Sequence, residues 1–460
     1  MKKQINFTFL ILITSVSAMG GLLFGYDWVV IGGAKPFYER YFEITDLPYM
    51  QGWAMGAAII GCLIGAGISG ILSDKFGRKK SLIISAFIFV ISSIATGAAG
   101  GLTTFIIYRI IGGIGIGMAS SLSPTYISEI SPAHIRGRMV SINQLTIVIG
   151  ILAAQIINWQ IAKPVAIGAT DIDILQSWNG QWGWRWMFWA TAIPSVVFFI
   201  AMFFVPESPR WLMQKGQNSK VIPILNRIGN AHYAEEEMKQ IQESLQKKGE
   251  KMSLSSLKNN SIRKILILGI GLAVFQQWCG INVIFNYAEE VFSAAGYNVS
   301  DILFNILITG TVNLIFTFIA MSTVDRWGRR KLMLTGASGL ALIYAAMGYA
   351  YYAHITGWPV LVLVVSAIAC YSMSLAPVTW VVLSEIFPNK IRGAAMAIAT
   401  FALWSACFML TYTFPLLNRG MGASGTFWLY GFICILGFIF IFRNLPETNG
   451  KTLEEIEKEF

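Results

Sequence analysis

Asp27 and Arg109 are the only ionisable side chains well inside the long apolar stretches of this 460-residue sequence. A charge at the centre of an apolar helix costs about 2.5–3.5 kcal/mol even on the gentler insertion scales, so each needs a reason to be there. Paired, they would neutralise one another as a static ion pair, or they would act as a switch: Arg109 stabilises ionised Asp27, and protonation removes the attraction. A second set is uncharged. Gln276, Gln277 and Asn282 fall within seven residues of one apolar stretch, and Gln144, Asn313, Trp380 and Trp404 lie in others. Amides both donate and accept hydrogen bonds without the desolvation cost of a charge. A lone buried Gln is commonly interhelical glue worth about 0.6 kcal/mol. Three amides in one short stretch exceed that need and point to ligand contact. Gly280 would let their helix break between them, as Pro377 would the helix carrying Trp380.

Other chemistries find no support. The three His, and the five cysteines (Cys62, Cys279, Cys370, Cys407 and Cys434) in apolar runs, show no metal-ligand spacing or disulfide framework. No nucleophile–base pair appears, and no Gly-rich loop ends in Gly-Lys-Ser/Thr, so an enzyme and an ATP-driven pump are both disfavoured and no cofactor or metal is expected. Gly112-Gly113-Ile114-Gly115-Ile116-Gly117 imitates a dinucleotide loop but lies inside an apolar stretch with no preceding strand, so close helix packing accounts for it better.

The elements that must hold these residues follow from composition. Hydrophobic residues make up 55% of the chain and charged residues 13%, with a mean hydropathy of +0.60. An average soluble domain carries about 25% charged residues. Crossing a bilayer takes about 20 apolar residues, and such runs fall near 7–33, 51–73, 81–100, 102–127, 139–162, 185–205, 265–288, 302–324, 332–353, 359–383, 393–417 and 425–442. The first has some look of a signal peptide, but its removal would leave eleven spans and destroy the repeat described next. With the N-terminus inside, 28 of the 34 Lys and Arg fall in inside segments, five outside (Lys35, Arg40, Lys163, Arg185, Arg419) and one, Arg109, in a span. Both termini are therefore expected in the cytoplasm. The net charge of +10 records topology rather than affinity for nucleic acid.

Two elements recur. Ser73-Asp74-Lys75-Phe76-Gly77-Arg78-Lys79-Lys80 returns 251 residues later as Val324-Asp325-Arg326-Trp327-Gly328-Arg329-Arg330-Lys331. Ser128-Glu129-Ile130-Ser131-Pro132-Ala133-His134-Ile135-Arg136-Gly137 returns 256 residues later as Ser384-Glu385-Ile386-Phe387-Pro388-Asn389-Lys390-Ile391-Arg392-Gly393. More loosely, Pro206-Glu207-Ser208-Pro209-Arg210 matches Pro446-Glu447-Thr448. The expected fold is all-α and integral to the membrane: twelve transmembrane helices in two pseudo-symmetric six-helix halves. The halves span 1–205 and 265–442, with a cytoplasmic linker at 206–264 and a tail at 443–460. The stretch 235–246 reads as a solvated amphipathic helix. Parallel repeats of this kind place a substrate site near the midplane and expose it to each side in turn. Asp74, Arg78, Glu129, Arg136, Glu207, Arg210, Asp325, Arg329, Glu385, Arg392 and Glu447 are expected to pair and separate as a cytoplasmic gating network. Positive-inside anchoring alone would explain the basic residues but not the repeated acids.

These residues also carry a family resemblance. The doubled Asp-Arg/Lys-x-Gly-Arg-Arg/Lys element, Pro206-Glu207-Ser208-Pro209-Arg210-Trp211-Leu212, Gln276-Gln277, Gly280-Ile281-Asn282 and Pro446-Glu447-Thr448-x-Gly450-Lys451-Thr452-Leu453-Glu454-Glu455 resemble the sugar porters of the major facilitator superfamily over essentially the whole chain. Within it, the sequence resembles the bacterial D-xylose–proton symporters most, and the glucose facilitators more distantly. The resemblance implies sugar contact by Gln144, Gln276, Gln277, Asn282, Asn313, Trp380 and Trp404. It also implies proton coupling at Asp27 and Arg109, since facilitators lack an acid at the first. The expected function is proton-coupled import of a pentose or hexose such as D-xylose or D-glucose, by a monomer in the cell (inner) membrane. A passive uniporter and a non-transporting receptor are the alternatives; receptors of this kind usually carry long signalling tails. Departures from the family pattern concern specificity: Leu403 and Ile151 stand where amides occur in relatives, Asn286 replaces the first aromatic of a pair that ends in Tyr287, and Phe285 is bulky. Met321 replaces a motif glycine that is present as Gly70 in the first copy.

Overall fold

A computed structural model of the chain describes residues 5–166, 168–246, 260–387 and 392–448. Among these, regular structure is helical apart from one bridge between Ile5 and Gly229. This is what a bilayer demands, because an apolar medium offers no partner to a backbone N–H or C=O and a helix satisfies both internally. The long helices are α1 (Phe7–Tyr41), α2 (Pro48–Phe76), α3 (Arg78–Gly97), α4 (Leu102–Ile130), α5 (Arg136–Ile161) and, after the short α6 (Asp171–Gln176), α7 (Trp184–Phe204). Then come α8 (Pro209–Gln214), α9 (Val221–Ile228) and α10 (Ala231–Gln246), which begins four residues before the expected amphipathic stretch. The remainder is α11 (Asn260–Trp278), α12 (Ile281–Asn286), α13 (Ala288–Ser293), α14 (Val299–Trp327), α15 (Arg329–Tyr352), α16 (Trp358–Met373), α17 (Leu375–Ile386) and α18 (Arg392–Asn444).

Among the described residues, eleven helical stretches are long and apolar enough to cross a membrane. The last of them holds two spans, because Gly422 (φ 68°, ψ 174°) leaves helical geometry inside α18. The fold is thus the twelve-helix, two-half arrangement expected from the sequence.

Chain contacts group the described residues into two compact units. One falls within Met1–Trp28, Ile60–Ile151 and Phe188–Lys251. In it, the glycines mistakable for a nucleotide loop do what close packing requires. A methyl group on Gly61 or Gly65 of α2 would collide with the Ile110 or Ile114 carbonyl of α4, and one on Gly117 of α4 with the Cys62 carbonyl of α2. Without side chains at these positions the two backbones touch, which is how helices gain packing energy where there is no water to expel. The other unit falls within Val29–Ile59, Leu152–Met187 and Met252–Phe460. Two of its spans are interrupted where the sequence says they should be. Gly280 takes φ +87° and separates α11 from α12, and its missing side chain leaves room for the Tyr430 ring. Pro377 has no N–H, and its ring excludes the carbonyl four residues back. That residue is Met373, the last of α16; the chain turns at Ser374 (φ −124°, ψ −87°) before α17 begins. A second break, at Tyr287 between α12 and α13, has no glycine or proline to announce it.

Candidate functional site

Within the first unit, α1 and α4 bring the two intramembrane charges together. Arg109 Nη1 donates to Asp27 Oδ1 at 2.7 Å, and both residues are buried. The guanidinium carbon also lies 5.5 Å from the centre of the Phe188 ring, within cation–π range. Arg109 Nε is buried without a partner. The pair is therefore a single charge-assisted contact. Neutralising Asp27 would leave Arg109 with the ring and little else among the described contacts.

The amides of the second unit form a chain of hydrogen bonds. Asn282 Nδ2 donates to Gln277 Oε1, Gln277 Nε2 to Gln276 Oε1 (2.6 Å), and Gln276 Nε2 to the Tyr371 hydroxyl (2.7 Å). The break at Gly280 makes this possible by bringing Asn282, five residues on, back against Gln277. On α16, the neighbour of Tyr371 repeats the pattern: Ser372 Oγ donates to Asn313 Oδ1 of α14 at 2.6 Å. Tyr371 and Ser372 thus tie the amides of α11, α12 and α14 to one turn of α16, immediately before its break. Neither was singled out in the sequence. A tyrosine and a serine in an apolar run carry no signal of their own, although their position six and five residues before Pro377 is one. Trp404 on α18 is buried, Trp380 on α17 is 37% exposed, and Gln144 on α5, in the first unit, is exposed.

The repeated charged elements build the same device twice, once in each unit. In the first, Arg78 Nε and Nη2 lie 3.0 Å from the two oxygens of Glu129, and Nη1 lies 3.3 Å from Asp74 Oδ1. Ser208 Oγ donates to Glu129 Oε2 at 2.5 Å. In the second, Arg329 donates to Glu385 Oε1 through Nε at 3.3 Å, and Thr448 Oγ1 donates to Glu385 Oε2 at 2.6 Å. Glu207 and Glu447 have a different job from the other acids. Glu207 Oε1 accepts the backbone N–H groups of Arg78 (2.9 Å) and Lys79 (3.1 Å), and Glu447 accepts those of Arg329 (2.8 Å) and Arg330 (3.2 Å). Each carboxylate caps a helix N-terminus, where free N–H groups and the helix dipole favour negative charge. Gly77 (φ +96°) and Gly328 (φ +86°) make the approach possible, since a Cβ on either would collide with the capping carboxylate. Burial nonetheless raises the Glu207 carboxyl above its usual range, with the backbone donors pulling the other way.

At the far end of each cap, Lys79 Nζ donates to the Phe203 carbonyl and Arg330 Nη2 to that of Phe442, both at 2.7 Å. The match between Ser208 and Thr448 was visible in the third repeated element; the shared cap was not. Arg136 and Arg210 are exposed. The side chains of Asp325 and Arg392 lie outside the described residues.

Comparison with known proteins agrees with this geometry. Residues 13–460 match the family model described as sugar (and other) transporter. The chain belongs to that family. It is 41% identical to the arabinose-proton symporter of Bacillus subtilis over 452 residues, covering 98% of this chain and 95% of that one. It is 38% identical to the D-xylose-proton symporter of Escherichia coli K12, covering 99% and 97%. The structure of the E. coli xylose transporter XylE in an inward open conformation superposes with a TM-score of 0.85 at 37% identity, covering 98% of this chain and all of that one.

Proposed function

We propose that this protein is a proton-coupled symporter that imports a monosaccharide, pentose or hexose, by alternating access. The observation that carries the reading is the buried Asp27–Arg109 contact at 2.7 Å inside a sugar-transporter fold. Among similar proteins, those named as proton symporters of arabinose and xylose support both the coupling ion and the class of cargo. With Asp27 ionised, Arg109 is held; with Asp27 protonated, the contact loses its charge and α1 is released from α4. A proton entering from the side of higher proton activity would thereby bias which face opens.

Gln276, Gln277, Asn282 and Asn313, with Gln144, would meet the sugar hydroxyls, and Trp380 and Trp404 its CH faces. The amide chain is suited to this because its members can exchange partners: a hydroxyl inserted between Asn282 and Gln277 replaces one hydrogen bond with two. The repeated Arg–Glu clusters would close the cytoplasmic side, with the halves at 1–205 and 265–442 moving about the linker at 206–264. The excess of Lys and Arg in alternate loops supports cytoplasmic termini and residence in the cell's inner membrane. The protein would work as a monomer, without cofactor.

Asp27→Asn in proteoliposomes tests the reading. Gradient-driven accumulation should be lost while exchange of sugar between the two sides persists. Accumulation equal to the parent protein's would refute coupling at this pair. Uptake that needs no gradient in the parent would indicate a uniporter, and the absence of any flux a receptor. Competition among arabinose, xylose, glucose and galactose in the same vesicles would rank the substrates.

A further inference from the structure

The end of α1 beyond its apolar run is not a loop. The helix continues through Pro36 to Tyr41 and carries Lys35, Glu39 and Arg40 into the second compact unit. There Lys35, a lysine only 2% exposed, meets three carboxylates. Its Nζ lies 2.8 Å from Glu39 Oε2 on the same helix, and 2.5 and 3.5 Å from Glu290 Oε1 and Glu289 Oε2 on α13. Arg40 bridges the same elements, with Nη1 3.2 Å from Glu289 Oε1 and Nε 2.7 Å from Asp171 Oδ1 on α6. From α2, Gln51 donates to Glu39 Oε2 at 3.2 Å. The remaining titratable groups that face the lysine are the Tyr38 and Tyr287 phenols, with the Tyr287 ring centre 5.7 Å from Nζ.

The charges do not balance. Four carboxylates face two cations, a formal −2 if all were ionised. Glu39 is 3% exposed, and its Oε1 is buried without a partner; Glu290 Oε2 is in the same condition. An ionised carboxylate oxygen left buried and unpartnered is strongly disfavoured, whereas burying a neutral carboxylic acid there costs far less. We propose that Lys35, Glu39, Glu289 and Glu290 form a second proton-binding site, separate from Asp27 and Arg109, which holds α1 against α13 while protonated and lets them part when the proton leaves. Burial raises the Glu290 carboxyl above its usual range, in the direction the site requires. The sign follows. The joined arrangement binds the proton more tightly than the parted one, so joining is favoured below the raised value and weakens as pH rises through it.

This inference does not rest on the symport reading, and its test uses neither sugar nor a gradient. Spin labels at Thr45→Cys and Ala294→Cys, both exposed positions, report the separation of the α1 and α13 ends by pulsed electron resonance in nanodiscs. The short separation should dominate at pH 5. The ratio of long to short should climb as pH rises towards 9, by up to about tenfold per unit for one proton. Glu290→Gln mimics the protonated acid and should keep the short separation throughout. Lys35→Met leaves the carboxylates facing one another and should favour the long separation at neutral pH, with acid restoring the short one. Asp27→Asn should leave the pH response as it is. A parent distribution that does not move with pH overturns the proposal. So does a response that survives Glu290→Gln unchanged, or one that Asp27→Asn abolishes. Should Lys35→Met fail to fold, the Glu290→Gln and Asp27→Asn results decide.

Discussion

Single side chains decide what this protein can hold. Gln277 is the middle link of the amide chain, accepting from Asn282 and donating to Gln276. Gln277→Leu removes both links and leaves two buried polar groups without their partner, each worth about 1–3 kcal/mol. Because it also takes from the proposed site an amide that would meet a sugar hydroxyl, a contact worth about 1 kcal/mol, the half-saturating sugar concentration in counterflow should rise about five- to tenfold. The effect should be less than additive with Asn282→Leu, because both act on one shared network. An unchanged half-saturation would remove Gln277 from the proposed sugar site. The sequence disclosed these amides because polar side chains are conspicuous in an apolar run. It concealed Tyr371 and Ser372, whose types are commonplace in membrane helices and whose importance lies in standing beside a break that brings three helices to one turn.

At the scale of elements, the turns Gly77 and Gly328 are each a single residue between two long helices, and each admits a carboxylate to the helix that follows. Gly77→Ala would place a residue with a Cβ at φ +96°, ψ 166°, a region essentially reserved for glycine, costing about 1–3 kcal/mol, and would displace Glu207 from its two backbone donors. Gly328→Ala would do the same to Glu447. Each should lower the midpoint of thermal unfolding in detergent, by similar amounts since the two turns are built alike; a midpoint within error of the parent's would mean that the caps contribute little. The breaks at Gly280 and Ser374 were readable from glycine and proline chemistry. The continuation of α1 to Tyr41 was not. Lys35, Glu39 and Arg40 look like the start of a loop, and the acids that partner the two cations, Glu289 and Glu290, lie about 250 residues away in the chain. Local patterning cannot display a partner at that distance.

For the molecule as a whole, the proposed orientation rests on where basic residues fall. A membrane-impermeant maleimide should label Ser293→Cys in intact cells and Ser219→Cys only after permeabilisation; both positions are exposed. The opposite pattern would invert the proposed topology. The repeat has a further consequence, for biosynthesis. Every side chain of the first charged cluster, from Asp74 to Ser208, is made before translation reaches α11, so the first cluster can assemble on the ribosome while the second half is still unwritten. The second cluster closes only when Glu447 and Thr448 emerge, 118 and 119 residues after Arg329, the residue at its centre. For the whole time those residues take to appear, the N-terminus of α15 waits uncapped. The N-terminus of α3 has waited in the same way for the 129 residues between Arg78 and Glu207, so each half passes through a stretch of synthesis in which a helix start depends on the insertion machinery for protection.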